Sequence, residues 1–131
     1  MDAIALWPGA VHAFNHYAIK ASAGTVFAAK FIDPQRMLAQ AKSTTMAVFR
    51  AEAHPTIAAS SGSWLDMPTV LSHRELTVTA GDKRVLVLGH ETRGIPAEWQ
   101  GLGSSVHVAM EGDVESLSVN AAGAVLLDRL S

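Results

Sequence analysis

Residues 84–96 read RVLVLGHETRGIP, and this stretch decides the fold. After Arg84 the run to Leu88 is apolar without interruption, preceded by Gly81-Asp82 and stopped by Gly89. A half-exposed strand alternates polar and apolar residues; a strand that does not alternate is covered on both faces, as in the centre of a parallel sheet. Gly89 and Gly94 then bracket a polar turn and Pro96 opens a short helix, so the turn belongs at the C-terminal edge of the sheet. Ligands of open α/β sheets bind along that edge.

Working outward, Ser105 to Met110 (SVHVAM) repeats the strand, and Asp113 suits the N-cap of a final helix from about Val114 to Arg129, with Glu115 in its first turn. The apolar positions of that segment, among them Leu117, Val119, Ala121, Ala122, Val125, Leu126, Leu127 and Leu130, go nearly all the way round, which implies burial on more than one side. Gly123 in mid-helix costs about 1 kcal/mol relative to Ala and points to close approach of another group. Upstream, Met46 to Arg50 (MAVFR) reads as a strand and Asp33-Pro34 as the start of a helix through about Lys42. His12 to Ala23 reads as a short helix stopped by Gly24, and Asp2 to Trp7 as a short buried strand ended by Pro8-Gly9. Residues 51–80, interrupted by Pro55, Ser60-Ser61-Gly62-Ser63 and Pro68, read as loop with short irregular helices. The alternation of strands and helices predicts one α/β domain over residues 1–131, a mainly parallel sheet flanked by helices.

Composition narrows the function classes. The 131 residues contain no cysteine, which excludes disulfides, thiolate nucleophiles and Cys-ligated metal centres. With 49% hydrophobic and 17% charged residues and a mean hydropathy of +0.21, the chain is apolar enough to suggest a further buried interface, as in a homodimer. No apolar run is long enough to span a bilayer and Met1-Asp2-Ala3 lacks a basic leader, so a cytoplasmic location is expected. A net charge of −2 provides no global basic field, so any nucleic-acid partner must be held by a local patch or by another subunit.

Two segments can carry chemistry. Gly89 to Pro96 supplies Glu91 and Arg93 between its glycines, and Met110 to Asn120 supplies small hydroxyls, Ser116 and Ser118, at a helix N-terminus with free N–H groups. Taken alone, each reads equally well as a solvated strand-to-helix turn or an ordinary cap. Neither is a P-loop or a Rossmann fingerprint. His12 and His16 stand four apart without the glutamate of a metalloprotease helix, and no metal site is expected. Trp7, Trp64 and Trp99 read as packing anchors.

Together the two segments resemble the SpoU branch of the SPOUT RNA methyltransferases. VLVLGHETRGIP is similar to that family's second motif, a strand followed by G-x-E-x-x-G-[LI]-P. VHVAMEGDVESLSVNAAGAVLL is similar to its third motif, I-P-M-x-G-x-V-E-S-L-N-V-S-x-A-x-A-[IV]-L-L. Asn15 with Lys20-Ala21-Ser22-Ala23-Gly24 resembles a further family segment, N-x-x-x-x-R-A-S-A-G.

The resemblance implies an α/β fold with a C-terminal trefoil knot, a rare exception to the rule against threaded chains, and a homodimer. It implies bent S-adenosylmethionine held by main-chain groups at Ala51, Gly89, Val108, Met110, Ser116 and Leu117. It also implies methyl transfer to an RNA ribose 2′-hydroxyl in tRNA or rRNA, with Glu91, Ser116 and Ser118 in the catalytic site; Ser118 stands where the family has Asn. Asp2 to Trp7 aligns with the family's second strand, so the first strand and the Asn- and Arg-bearing helix of the first motif have no counterpart here. Two expectations follow: a methyltransferase domain truncated at its N-terminus, or a cofactor-binding remnant that needs a partner chain.

Overall fold

The computed structural model describes residues 3–44, 46–52, 70–110 and 117–131. It divides into two compact parts, residues 1–43 and 44–131.

In the first part, helix α1 spans His16–Ala21, a 3-10 turn spans Thr25–Ala28 and helix α2 spans Pro34–Ser43. α1 is shorter than the reading from His12 because Asn15 takes the N-cap: its backbone is extended and its Oδ1 accepts the N–H groups of Tyr17 and Ala18, each at 3.0 Å. The His12 Nδ1 meanwhile accepts from the Phe14 N–H, which fixes a turn ahead of the helix. Left-handed Ala23 and Gly24 end it, and the Gly24 N–H closes onto the Ile19 carbonyl at 3.0 Å. α2 begins as expected, with the Asp33 Oδ1 accepting the Arg36 N–H at 2.8 Å. Among the described residues, which leave out Asp2, the strand expected over Asp2 to Trp7 is reduced to one parallel bridge between Ile4 and Phe31. Its partner has no room for more, since the 3-10 turn ends at Ala28 and Asp33 already caps α2.

Among the described residues the second part forms a four-stranded, all-parallel sheet in the order β2-β4-β1-β3, with β1 at Ala47–Ala51, β2 at Val70–Ser72, β3 at Arg84–Leu88 and β4 at Ser104–His107. Helix α3, Val119–Leu130, covers one face. Three of the strands stand where the apolar runs put them. β2 falls inside the stretch read as loop, and a 3-10 turn at His73–Glu75 follows it. That turn is fixed by a capping box in which the Glu75 carboxylate accepts the Ser72 N–H at 2.7 Å.

β3 corrects the reading of a central strand: among the described residues it lies at the sheet edge, paired only with β1. Val85 and Val87 are buried on one face and Leu86 packs on the other against the core under α3, while Leu88 is exposed, so its apolarity serves cover on its two faces rather than two neighbouring strands. The core on the helix side is Phe49, Leu76, Val106, Leu126 and Leu130, with Val106 and Leu126 almost fully removed from water.

α3 also corrects the sequence reading. It starts at Val119, five residues after the expected start, with Ser118 rather than Asp113 as its cap; the Ser118 Oγ accepts the Ala121 N–H at 3.3 Å. Asp113 lies outside the described residues. Burial is confined to one side, Gly123, Leu126 and Leu130, while Ala121, Ala124 and Leu127 face outward. Residues 111–116, on which the implied knot depends, lie outside the described residues.

Candidate cofactor and active site

Because every strand pair is parallel, the C-terminal ends of β1, β3 and β4 share one edge. The register pairs Ala51 with both Leu88 and Val106, so Ala51, Gly89 and Val108 lie at or one to two residues beyond the same strand ends. α3 runs back against this direction. Its Gly123 sits at Leu88, the end of β3, where an added Cβ would meet Leu88 Cδ1 at 3.2 Å. Seven residues later the Leu130 carbonyl accepts from Arg84, the start of β3, at 2.5 Å. The N-terminus of α3, with Leu117 and Ser118, therefore lies at the same edge as the strand ends.

The loop after β3 is folded tightly. His90 and Gly94 exchange two backbone hydrogen bonds, at 3.0 and 2.8 Å, leaving Glu91, Thr92 and Arg93 exposed at its tip. Gly94 has φ 70°, which favours glycine. Gly89 is required for a different reason: a Cβ there would lie 2.7 Å from the Gly94 carbonyl carbon. The Thr92 N–H donates to His90 Nδ1 at 3.2 Å, and buried Ile95 and Trp99 anchor the exit. The loop presents its backbone and the Glu91 carboxylate outward.

On the β4 side, Val108 and Met110 leave the strand half-buried, and the Ala109 N–H between them donates to His73 Nδ1 at 3.0 Å. Leu117 and Leu88 are 39% and 42% exposed, so the edge joins apolar surface to main chain that has left its strand. Such a mixture suits a flat heteroaromatic ring with polar edges, because apolar side chains cover its faces and peptide groups read its rim. Of the residues implied by the resemblance, Ala51, Gly89, Glu91, Val108, Met110, Leu117 and Ser118 are brought to this edge, and Ser116 lies outside the described residues. Asn15 and Lys20 belong to the first part of the chain.

The sequence reading missed one polar cluster here. Arg50 is 3% exposed, its Nε 3.7 Å from the Glu52 carboxylate, and the Ser105 hydroxyl donates a short hydrogen bond to the same carboxylate. Arg50 and Ser105 are register partners, so side chains 55 residues apart share one sheet face. An arginine within an apolar strand was the available signal. Among the described residues no group of three His, Cys, Asp or Glu side chains could hold a metal ion, and no helix is long and apolar enough to cross a membrane.

A parallel α/β sheet with glycine-built loops at one edge defines a class of ligand-binding domain, and comparison with known proteins makes it specific. The family model for the SpoU rRNA methylase family matches residues 1–128, and the chain belongs to that family. Its fold is that of solved SpoU-type structures. An AdoMet-bound rRNA methyltransferase from Sinorhizobium meliloti superposes with a TM-score of 0.71 at 19% identity, over 98% of this chain and 45% of that one. The SpoU methyltransferase AviRb from Streptomyces viridochromogenes, in complex with AdoMet, gives 0.64 at 20% identity, over 97% and 47%. An RNA 2′-O ribose methyltransferase gives 0.67 at 21%, over 98% and 44%. The chain thus spans less than half the length of these structures. No curated protein matches it.

Proposed function

We propose that this chain is the S-adenosylmethionine-binding domain of an RNA 2′-O-ribose methyltransferase acting on tRNA or rRNA. The observation that carries the reading is the convergence of Ala51, Gly89, Val108, Met110 and Leu117 on one edge of a parallel sheet, in a chain of the SpoU family. The reading includes a single domain over residues 1–131, a C-terminal knot, a homodimer and a cytoplasmic location.

S-adenosylmethionine, when bound, would supply the electrophilic methyl group, the S–C bond breaking to leave the thioether as the O–C bond to the ribose forms, with the hydroxyl proton passing to solvent. The chain's own residues do the positioning, worth several kcal/mol when donor and acceptor are held in line. Backbone groups at Gly89, Val108, Met110, Ser116 and Leu117 hold the adenine, and exposed Leu88 and Leu117 cover its faces. The Glu91 carboxylate, exposed on a loop that the His90 and Gly94 hydrogen bonds make rigid, accepts hydrogen bonds at the reacting end. Ser118 caps α3 through a lone pair of Oγ, which leaves its O–H able to donate to a ligand.

The test is transfer of labelled methyl from S-adenosylmethionine into bulk tRNA and rRNA, followed by alkaline hydrolysis. Label retained in alkali-resistant dinucleotides, and lost in Glu91→Ala, supports the reading. Cofactor binding without transfer to either RNA leaves the other expectation, a binding remnant that requires a partner chain.

A further inference from the structure

Charge is divided unevenly along the chain. Residues 1–43 carry four Lys or Arg (Lys20, Lys30, Arg36, Lys42) against Asp2 and Asp33, whereas the whole chain carries 10 against 12. The first part is therefore +2 and the remainder −4. A polyanion is drawn to the first part and repelled by the second.

The same part exposes ordered aromatic rings. Phe31 and Phe14 form a T-shaped pair with centroids 5.7 Å apart, and Phe14 stacks on Phe27 at 5.5 Å with planes 12° apart. Phe27 is 66% exposed and so ends the series, one face on Phe14 and the other open to water. His12 flanks Phe14 at 5.8 Å, and His16 lies 3.9 Å from Tyr17, which is 74% exposed. Lys30 and Lys20, both exposed, follow Phe27 and Tyr17 by three residues each. An open π-face backed by a fixed ring is preorganised for another flat ring, and lysines within a few residues match a chain that carries a charge at every unit. The core of a protein–protein interface disfavours lysine; single-stranded nucleic acid asks for aromatic faces and cations together.

We infer that Phe27, backed by Phe14, is a stacking platform for an unpaired RNA base, with Lys20 and Lys30 on the flanking phosphates and Tyr17 as a second stacking ring. The inference rests on the reading of RNA as substrate but concerns a surface that shares no residue with the cofactor edge.

Fluorescence anisotropy with labelled single-stranded oligoadenylate and oligouridylate of about 12 nucleotides, and a duplex of the same length, tests it. The single strands bind more tightly than the duplex, Phe27→Ala weakens them about 5- to 100-fold, Phe27→Leu weakens them similarly although it stays apolar, and Phe27→Trp retains binding. Lys30→Ala lowers the salt slope by about one unit. Calorimetry with S-adenosylmethionine on the same variants is unchanged, which certifies their folding. Wild-type RNA affinity in Phe27→Ala and Phe27→Leu, with methyl transfer intact, overturns the platform alone. Absence of RNA binding and of methyl transfer in the wild type overturns the platform together with the substrate reading. If Phe27→Ala instead dissociates a dimer in sedimentation and leaves RNA binding unchanged, the patch joins two copies of the chain and the platform is refuted.

Discussion

Replacing Gly89 by alanine tests the architecture of the cofactor edge at one atom. The added Cβ would stand 2.7 Å from the Gly94 carbonyl carbon and 2.9 Å from both the Gly94 oxygen and the Ile95 nitrogen. All three are backbone atoms of a loop pinned by the His90 and Gly94 hydrogen bonds and by Ile95, which is 6% exposed, so no flexible side chain can yield. Ordinary carbon contacts lie near about 3.5 Å, and the loop must move by roughly half an ångström or more. Overpacking of that kind costs about 1–3 kcal/mol. Gly94→Ala and Gly101→Ala separate the clash from backbone strain: both glycines have positive φ, 70° and 80°, with nothing within 4 Å of an added Cβ. Each loses about 1–2 kcal/mol through the left-handed conformation alone. Urea midpoints at unchanged m-value measure the stabilities, and calorimetry measures affinity for S-adenosylmethionine. Gly89→Ala loses at least about tenfold in affinity, equivalent to about 1.4 kcal/mol, whereas Gly101→Ala, outside the loop, keeps wild-type affinity. A Gly89→Ala protein with wild-type midpoint and affinity would refute the folded-back loop.

Three further outcomes follow from the packing. Ser118→Ala removes the cap of α3 and lowers stability by about 0.5–2 kcal/mol, while Ser118→Asp restores it; equal urea midpoints for the two variants would contradict the cap. Gly123→Ala is neutral or stabilising by up to about 1 kcal/mol, since Leu88 Cδ1 at 3.2 Å is the movable end of a side chain, whereas Leu126→Ala, at 1% exposure, costs about 2–5 kcal/mol. Thermal unfolding compares the two. Glu52→Ala leaves the buried Arg50 guanidinium without its carboxylate and destabilises more than Arg50→Met, which removes the charge itself; the reverse order in urea would show that the pair does not act as drawn.

The strands that position the site were legible where apolar residues run together: Val85 to Leu88 without a break, Met46 to Ala51 broken only by Arg50, and β4 through Val106 and the apolar residues that follow it, since Ser104 to His107 itself holds one apolar residue. β2 was not, since three residues set no periodicity, although the Ser72 and Glu75 box beside it was readable as a helix-start signal. Neighbour order in the sheet lies beyond a local pattern: Leu86 reads the same at an edge as at the centre. The start of α3 was misplaced because Asp113 and Ser118 are both good cap residues and a local pattern does not choose between them. At the site, backbone positions were legible through glycine, whose use at Gly89 is dictated by crowding and at Gly94 by φ. The Arg50, Glu52 and Ser105 cluster was hidden because it exists only in the register of β1 with β4.

The central claim is that this edge holds S-adenosylmethionine, and isothermal titration of the full chain with S-adenosylmethionine and with its demethylated product measures it directly. The account predicts saturable binding of both at one site per chain, weakened in Gly89→Ala and unchanged in Gly101→Ala. No heat of binding at millimolar ligand, from a chain shown to be folded by its urea transition, would contradict it.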